Sequence, residues 1–205
     1  LLKRGVVPDL ETIEGARVAV QGYGNAGNIA ARLFHADGAH IVAVSDSRGG
    51  ICCEDGLDPI AVLAHKEKTG SVVGYPGSTA ISNEELLAYD CDILIPAARP
   101  DVIREDNQAD VKAKLIVPGA NIGVTEAAEK MLHERGVLCI PDFIANAGGV
   151  ICAAVEFAGG RKRDAVATIE EKVAGNTEEM LRRMDDTGVL PREAAVAMAR
   201  ERVDA

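Results

Sequence analysis

The sequence has no tryptophan, three tyrosines and three phenylalanines, so aromatic residues make up only 3% of the chain. Large rings cannot build its interior, and Ala, Val, Ile and Leu must fill the core. Apolar runs of such side chains suit a parallel sheet sandwiched between helices. Basic charge is also in short supply: 22 Lys and Arg stand against 32 Asp and Glu, a net charge of −10. No basic stripe able to neutralise a row of phosphates occurs, which argues against a nucleic-acid partner. The five cysteines (Cys52, Cys53, Cys91, Cys139, Cys152) are odd in number and show no C-x-x-C spacing. That pattern fits a reducing cytoplasm and no disulfide framework. No pair of the four histidines (His35, His40, His65, His133) has ligand spacing, so no metal site is expected. No apolar run reaches the length of a membrane span, no signal peptide opens the chain, and no membrane partner is expected. The first residue is Leu1 in place of a Met, and the chain is expected to be part of a longer or processed protein.

Against these absences stands one dense region, residues 16–46, which reads ARVAVQ-GYGNAG-NIAARLFHADGAH-IVAVSD. Gly22, Gly24 and Gly27 form G-x-G-x-x-G between a strand-like stretch and a helix-like one. The first glycine permits a tight turn, the second lets a pyrophosphate approach the backbone, and the third lets helix and strand pack closely. The helix then aims its free N–H groups and positive dipole end at the phosphates. Gly22, Tyr23, Gly24, Asn25, Ala26 and Gly27 are therefore candidate cofactor-binding residues. Asp46, at the end of the next apolar run, is placed to accept hydrogen bonds from a ribose diol, with Ser47 beside it. A glycine-rich turn serving packing alone is the bland alternative, and the strand–turn–helix–strand–acid context favours the dinucleotide.

Residues 1–14 form a lead-in segment, and strands are expected at 15–21, 40–45, 92–96, 115–118 and 137–140. Helices are expected at 25–36, 58–68, 82–87 and 125–135, the second with an Asp58-Pro59 start and the third with a Ser82/Glu85 capping box. Gly49, Gly50 and Gly56 read as a flexible loop, and residues 71–78 as a polar excursion. Beyond residue 141 the pattern turns helical, at 146–157, 164–184 and 192–203. Strands alternating with helices imply right-handed βαβ units. The fold class is therefore α/β, a Rossmann-like doubly wound, mainly parallel sheet with additional C-terminal helices. The expected division is a dinucleotide-binding domain at 15–160 and C-terminal helices at 161–205.

Three further loops follow strands on one carboxyl edge, where open α/β sheets bind ligands. They hold Ala97 and Ala98, Asn121, and Asn146. The two asparagines can each pair with a carboxamide or a ribose hydroxyl. Equally, Asn121 can occupy its turn because it tolerates unusual backbone angles, whereas A-N-A-G-G ahead of a helix favours a binding role for Asn146.

From residue 15 to about 157 the sequence resembles the cofactor-binding domain of the glutamate/leucine/phenylalanine/valine dehydrogenases. The matching stretches, in order, are VAVQGYGNAG, VAVSDSRGGI, DGLD, NEELL, DILIPAA, GAN and IPDFIANAGGV. The resemblance implies oxidative deamination of an L-amino acid with NAD or NADP, with the glycines and Asp46 holding the adenosine half. It also implies that the loops of Ala97, Ala98 and Asn121 line the cleft and that Asn146 contacts the nicotinamide side. The family's catalytic lysine and aspartate lie in a G-G-G-K-G motif and a P-x-D-x segment of another domain, and neither motif is present here. No catalytic residue is therefore assigned, the chain is expected to be inactive alone, and an amino-acid substrate binds only with the missing domain. Glutamate-specific members carry a serine where this sequence has Ala153, which leaves either glutamate or an apolar amino acid open. Asp46 favours NAD, with NADP possible because Arg48 stands two residues later. A homo-oligomer is expected of the intact enzyme. The alternative is a standalone dinucleotide-sensing module, and a hydroxy-acid or alanine dehydrogenase ranks last because no histidine falls in a carboxyl-edge loop.

Overall fold

The computed structural model describes residues 1–8 and 10–204; Asp9 of the lead-in and Ala205 at the C-terminus lie outside the described residues. Two compact units emerge, Leu1–Leu138 and Cys139–Ala205.

The first unit begins with a buried anchor, Val7, and then β1 (Arg17–Gln21), α1 (Asn25–Ala36) and β2 (His40–Asp46). Val18, Ala19, Val20, Ile41, Val42, Ala43 and Val44 are each fully buried, because helices cover both faces of these strands. After them come β3 (Gly49–Cys52), α2 (Pro59–Thr69), β4 (Thr79–Ile81), α3 (Asn83–Leu87), β5 (Ile93–Pro96), β6 (Leu115–Ile116), α4 (Glu126–Glu134) and β7 (Leu138–Cys139). The sheet runs β4-β3-β2-β1-β5-β6-β7. β1 pairs in parallel with β2 and with β5, and β5 pairs in parallel with β6. The order therefore reverses at β1, which places a crevice beyond the carboxyl ends of β1 and β5.

The helices start and stop on local signals. Asp58 Oδ1 accepts from the N–H groups of Ile60 (2.9 Å) and Ala61 (3.2 Å), and Pro59 opens α2. Gly70 ends the same helix in the left-handed region at φ +83°. Ser82 Oγ accepts from Glu85 N–H while Glu85 Oε2 accepts from Ser82 N–H, the reciprocal cap foreseen for α3.

One edge differs from the sequence expectation. Gly49 and Gly50 do not form a loop: Gly49–Cys52 pairs antiparallel with β2 across a two-residue turn at Ser47-Arg48, and β4 pairs antiparallel with β3. The glycines hid this strand because they serve a steric purpose. A Cβ on Gly50 would lie 3.1 Å from Ile81 Cγ1 and 3.2 Å from Ser45 Cβ. A close approach between neighbouring strands favours glycine there, at the expense of the β-branched signature by which strands are read.

The second unit contains α5 (Asp142–Ala145), α6 (Gly148–Phe157), α7 (Lys162–Thr187) and α8 (Pro191–Val203). The segment expected as one helix at 146–157 divides, with Asn146 capping the C-terminus of α5 and α6 starting at Gly148. α7 is the spine against which α5, α6 and α8 pack. Arg183 joins α7 to α8 through paired contacts with Glu201 of 2.8 and 2.7 Å. Arg192 of α8 donates to Asp142 Oδ1 at 2.9 Å and lies over the Phe143 ring. Among the described residues no helix is long and apolar enough to cross a membrane.

Candidate functional site

The turn leaving β1 is shaped by two glycines that cannot accept a side chain. Gly22 has φ +98°, and a Cβ there would lie 2.7 Å from the backbone of Ala98. At Gly27 a Cβ would fall 1.8 Å from Gly22 O, so α1 rests directly on the turn it follows. Gly24 is different: nothing lies within 4 Å of its Cβ position. No protein packing demands glycine at that point, which leaves its surface open to a group from outside. Gly24 also caps α1 without a side chain, and the first turn holds no acidic residue. The N–H groups of Asn25, Ala26 and Gly27 at the start of the helix have no intrahelical acceptor. Oriented N–H groups at the positive end of a helix are an anion site.

Beside this turn lies a cleft of about 590 Å³ whose walls include Gln21, Gly22, Tyr23, Gly24, Asp46, Ser47, Lys66, Asn83, Ala97 and Ala98. Tyr23 has its ring buried and its hydroxyl donates to Pro59 O at 2.7 Å, fastening the turn to the start of α2. Burial pushes its phenol well above the ordinary tyrosine range. Lys66 donates to Tyr23 O at 2.6 Å and approaches Asp46 Oδ2 at 4.0 Å.

Asp46 is at the carboxyl end of β2 and 8% exposed. Its carboxylate is already occupied from within: Oδ1 accepts from Arg48 N–H (2.9 Å) and Ser71 Oγ (3.1 Å), and Oδ2 from Val72 N–H (2.7 Å). The acid at this position thereby secures the turn after α2. Arg48 does not line the cleft; its guanidinium lies against Gly70, whose Cβ position is 3.4 Å from Nη2.

Gln21, the last residue of β1, is 5% exposed, and its Oε1 is the buried side-chain atom without a hydrogen-bond partner among the described residues. Ala97 and Ala98 line the cleft, with Ala97 N–H donating to Gln21 O at 2.7 Å. The next loop packs on theirs: Gly119 and Ala120 both donate to Pro96 O. Asn121 is exposed and not among the cleft's lining residues. Asn146 and Ala153 belong to the second unit, Asn146 half-buried at the end of α5 and Ala153 exposed on α6.

Sequence reasoning passed over Gln21, Lys66, Asn83, Glu84 and Arg99, all of which line the cleft. Only Gln21 carried a readable signal, a polar residue closing an otherwise buried apolar strand directly before the glycine motif. None of the four histidines lines the cleft, and no group of three or more metal-binding side chains is assembled among the described residues.

The reversal of strand order at β1, the crowded glycine turn and the open helix N-terminus define a Rossmann-like α/β unit. The chain belongs to the glutamate/leucine/phenylalanine/valine dehydrogenase family, whose family model matches residues 4–205. It is 47% identical over 160 residues to the NADP-specific glutamate dehydrogenase of Saccharolobus shibatae, covering 78% of this chain and 38% of that protein. It is 40% identical over 195 residues to the glutamate dehydrogenase of Thermotoga maritima, covering 92% of this chain and 47% of the relative. The chain thus spans less than half the length of these curated relatives. Among solved structures, the hetero-hexameric glutamate dehydrogenase of Thermus thermophilus in its Leu-bound form superposes with a TM-score of 0.84 at 31% identity, covering 94% of this chain and 47% of that one. The L-tryptophan dehydrogenase of Nostoc punctiforme shares the fold, with a TM-score of 0.77 at 24% identity over 99% of this chain and 57% of its own.

Proposed function

We propose that this chain is the dinucleotide-binding portion of an NAD(P)-dependent L-amino-acid dehydrogenase that oxidatively deaminates glutamate or a related amino acid to the 2-oxo acid and ammonia. The observation that carries this reading is the glycine turn: Gly22 and Gly27 have no room for a Cβ, while Gly24 stands open beside free helical N–H groups. Those groups hold a pyrophosphate, and the crevice between β1 and β5 orients the rest of the dinucleotide. When bound, the dinucleotide supplies the hydride acceptor. The names of the relatives, glutamate dehydrogenases in several cases, support the substrate class.

The cleft accepts both NAD and NADP. The Asp46 carboxylate accepts from three donors and lies 4.0 Å from Lys66 Nζ, so its repulsion toward a 2′-phosphate is blunted. Lys66, on the same wall, offers that phosphate a cation. Ala153 brings no hydroxyl for a substrate carboxylate, and the chain has no glycine-embedded lysine for proton transfer. Residues 1–205 alone therefore bind the cofactor without turning over substrate, and the substrate contacts come from the rest of a homo-oligomeric enzyme.

Titration of the chain with NADH and with NADPH, followed by nucleotide fluorescence, tests this directly. Saturable binding of both without glutamate-dependent change in NAD absorbance is the expected result. Deamination by the chain alone would remove the claim of inactivity, and binding of neither nucleotide would remove the cofactor reading.

A further inference from the structure

We propose that Gln21 is a positioning residue of this cleft, its Oε1 accepting a hydrogen bond from a ribose hydroxyl of the bound dinucleotide. The inference rests on the cofactor reading above and adds a residue to it. Buried polar atoms in folded proteins are almost always paired, and an exception calls for a specific reason. Gln21 Oε1 is such an exception, on a side chain that is 95% buried and borders the cleft. Its main chain is fully employed, with the Gln21 carbonyl accepting from Ala97 N–H and the residue paired to Ser45 and Pro96 in the sheet. The neighbouring donors are directed elsewhere: the N–H groups of Gly22 and Tyr23 both go to Ser45 O, and Lys66 Nζ is directed at Tyr23 O and towards Asp46. No protein donor among the described residues reaches Gln21 Oε1, and a ligand hydroxyl in the cleft would supply one.

The chemistry of a dinucleotide restricts which donor that is. Its pyrophosphate oxygens only accept. Its donors are the ribose hydroxyls and the amino groups of the two bases. The base amino groups lie at the far ends of the molecule, whereas Gln21 adjoins the turn that holds the middle, next to the riboses. A neutral carboxamide meets a hydroxyl without the charge penalty that a second buried carboxylate would bring. Asp46, the residue whose position first suggested ribose recognition, already accepts from Arg48, Ser71 and Val72.

Gln21→Met tests the bond, because it keeps the length of the side chain and removes the acceptor. The dissociation constant for NADH is expected to rise about tenfold, within the range of one hydrogen bond to a buried group. The unliganded melting temperature is expected to hold or rise, since an unpaired buried acceptor is gone. A structural role would move that temperature the other way, so a fall of several degrees with weakened binding overturns the proposal. ADP, which carries only the adenosine ribose, locates the hydroxyl. Weakening of both ADP and NADH assigns it to the adenosine half, weakening of NADH alone to the nicotinamide half, and either supports the bond. Equal binding of NADH by variant and parent overturns this proposal and leaves the cofactor reading standing. Failure of the parent chain to bind any dinucleotide overturns both. On the unaltered chain, dinucleotide analogues each lacking one ribose hydroxyl give an independent check. One of them must bind about tenfold more weakly, and if none does the proposal falls.

Discussion

Replacing Asp46 by alanine separates two roles that a carboxylate at the end of β2 can have. If the acid serves only a ribose, its loss weakens nucleotide binding and leaves the fold intact. The geometry requires a different outcome. Three donors converge on the side chain, from Arg48 N–H, Ser71 Oγ and Val72 N–H, at 2.9, 3.1 and 2.7 Å. Arg48 is exposed, so its N–H can turn to water at little cost. Ser71 and Val72 are 4% and 0% exposed and cannot. Stranding the Val72 N–H costs about 1–3 kcal/mol, and the Ser71 hydroxyl adds about 1 kcal/mol. Relief of the desolvated carboxylate returns about 1 kcal/mol, leaving a net loss of about 1–3 kcal/mol. In a chain of this size that lowers the melting temperature by about 2–12 °C. Asp46→Asn is expected to recover no more than half of the loss, because its amide end presents a donor to a donor. Urea and thermal unfolding followed by circular dichroism, with and without NADH, read the effect. An Asp46→Ala chain that melts within about 1 °C of the parent while losing NADH affinity would refute the structural role and restore the carboxylate to the ribose.

Gly27→Ala puts a methyl 1.8 Å from Gly22 O, so α1 must lift away from the turn; a loss of about 2–3 kcal/mol in urea unfolding is expected, with NADH affinity falling at least about tenfold. Lys66→Met is expected to weaken NADPH about tenfold while changing NADH less than about twofold, read by fluorescence titration, because only NADPH carries the 2′-phosphate that the ammonium can meet. Burial, with a smaller contribution from Asp92, pushes the Cys91 thiol from the ordinary 9 up to about 12. The folded state then holds its proton longer than the unfolded one, so this contribution to stability is complete below about pH 9 and lost as pH rises towards 12. Thiol-reactive reagent at pH 8.5 should label the partly exposed Cys52, Cys53 and Cys152 and reach Cys91 only after unfolding.

The legible parts of the fold are those whose signals are local. α1, bounded by Gly24 and Gly38, the Asp58-Pro59 start of α2 and the Ser82/Glu85 cap of α3 each depend on residues within a few positions of one another, and each was readable from spacing. β3 and β4 were not readable. Gly50 is crowded by Ile81 and Ser45, and Gly49 has φ +146° with Val73 beside it, and no pattern within 49–52 reports Val73 or Ile81, more than twenty residues away. The division of the expected helix at 146–157 has the same character, since A-N-A-G-G continues a helix and interrupts one with equal ease until tertiary packing decides.

The candidate site divides along the same line, and the division bears on its chemistry. The glycine turn is written into sequence because sterics impose one residue type at fixed offsets, and that is a local demand. Hydrogen-bond occupancy is not local. Asp46 stands in the register of a ribose acceptor, yet whether its oxygens are free depends on a turn twenty-five residues further on, which places Ser71 and Val72 against them. Gln21 is the converse case. It occupies the register of an ordinary core position in β1, and only the direction in which the donors of Gly22, Tyr23 and Lys66 point leaves its carboxamide oxygen without a protein partner. The crevice therefore presents an acid already engaged by three protein donors and an amide oxygen with none. The recognition of a dinucleotide's sugar is thereby expected to shift from the residue that the spacing selects to the one that the packing leaves unpaired.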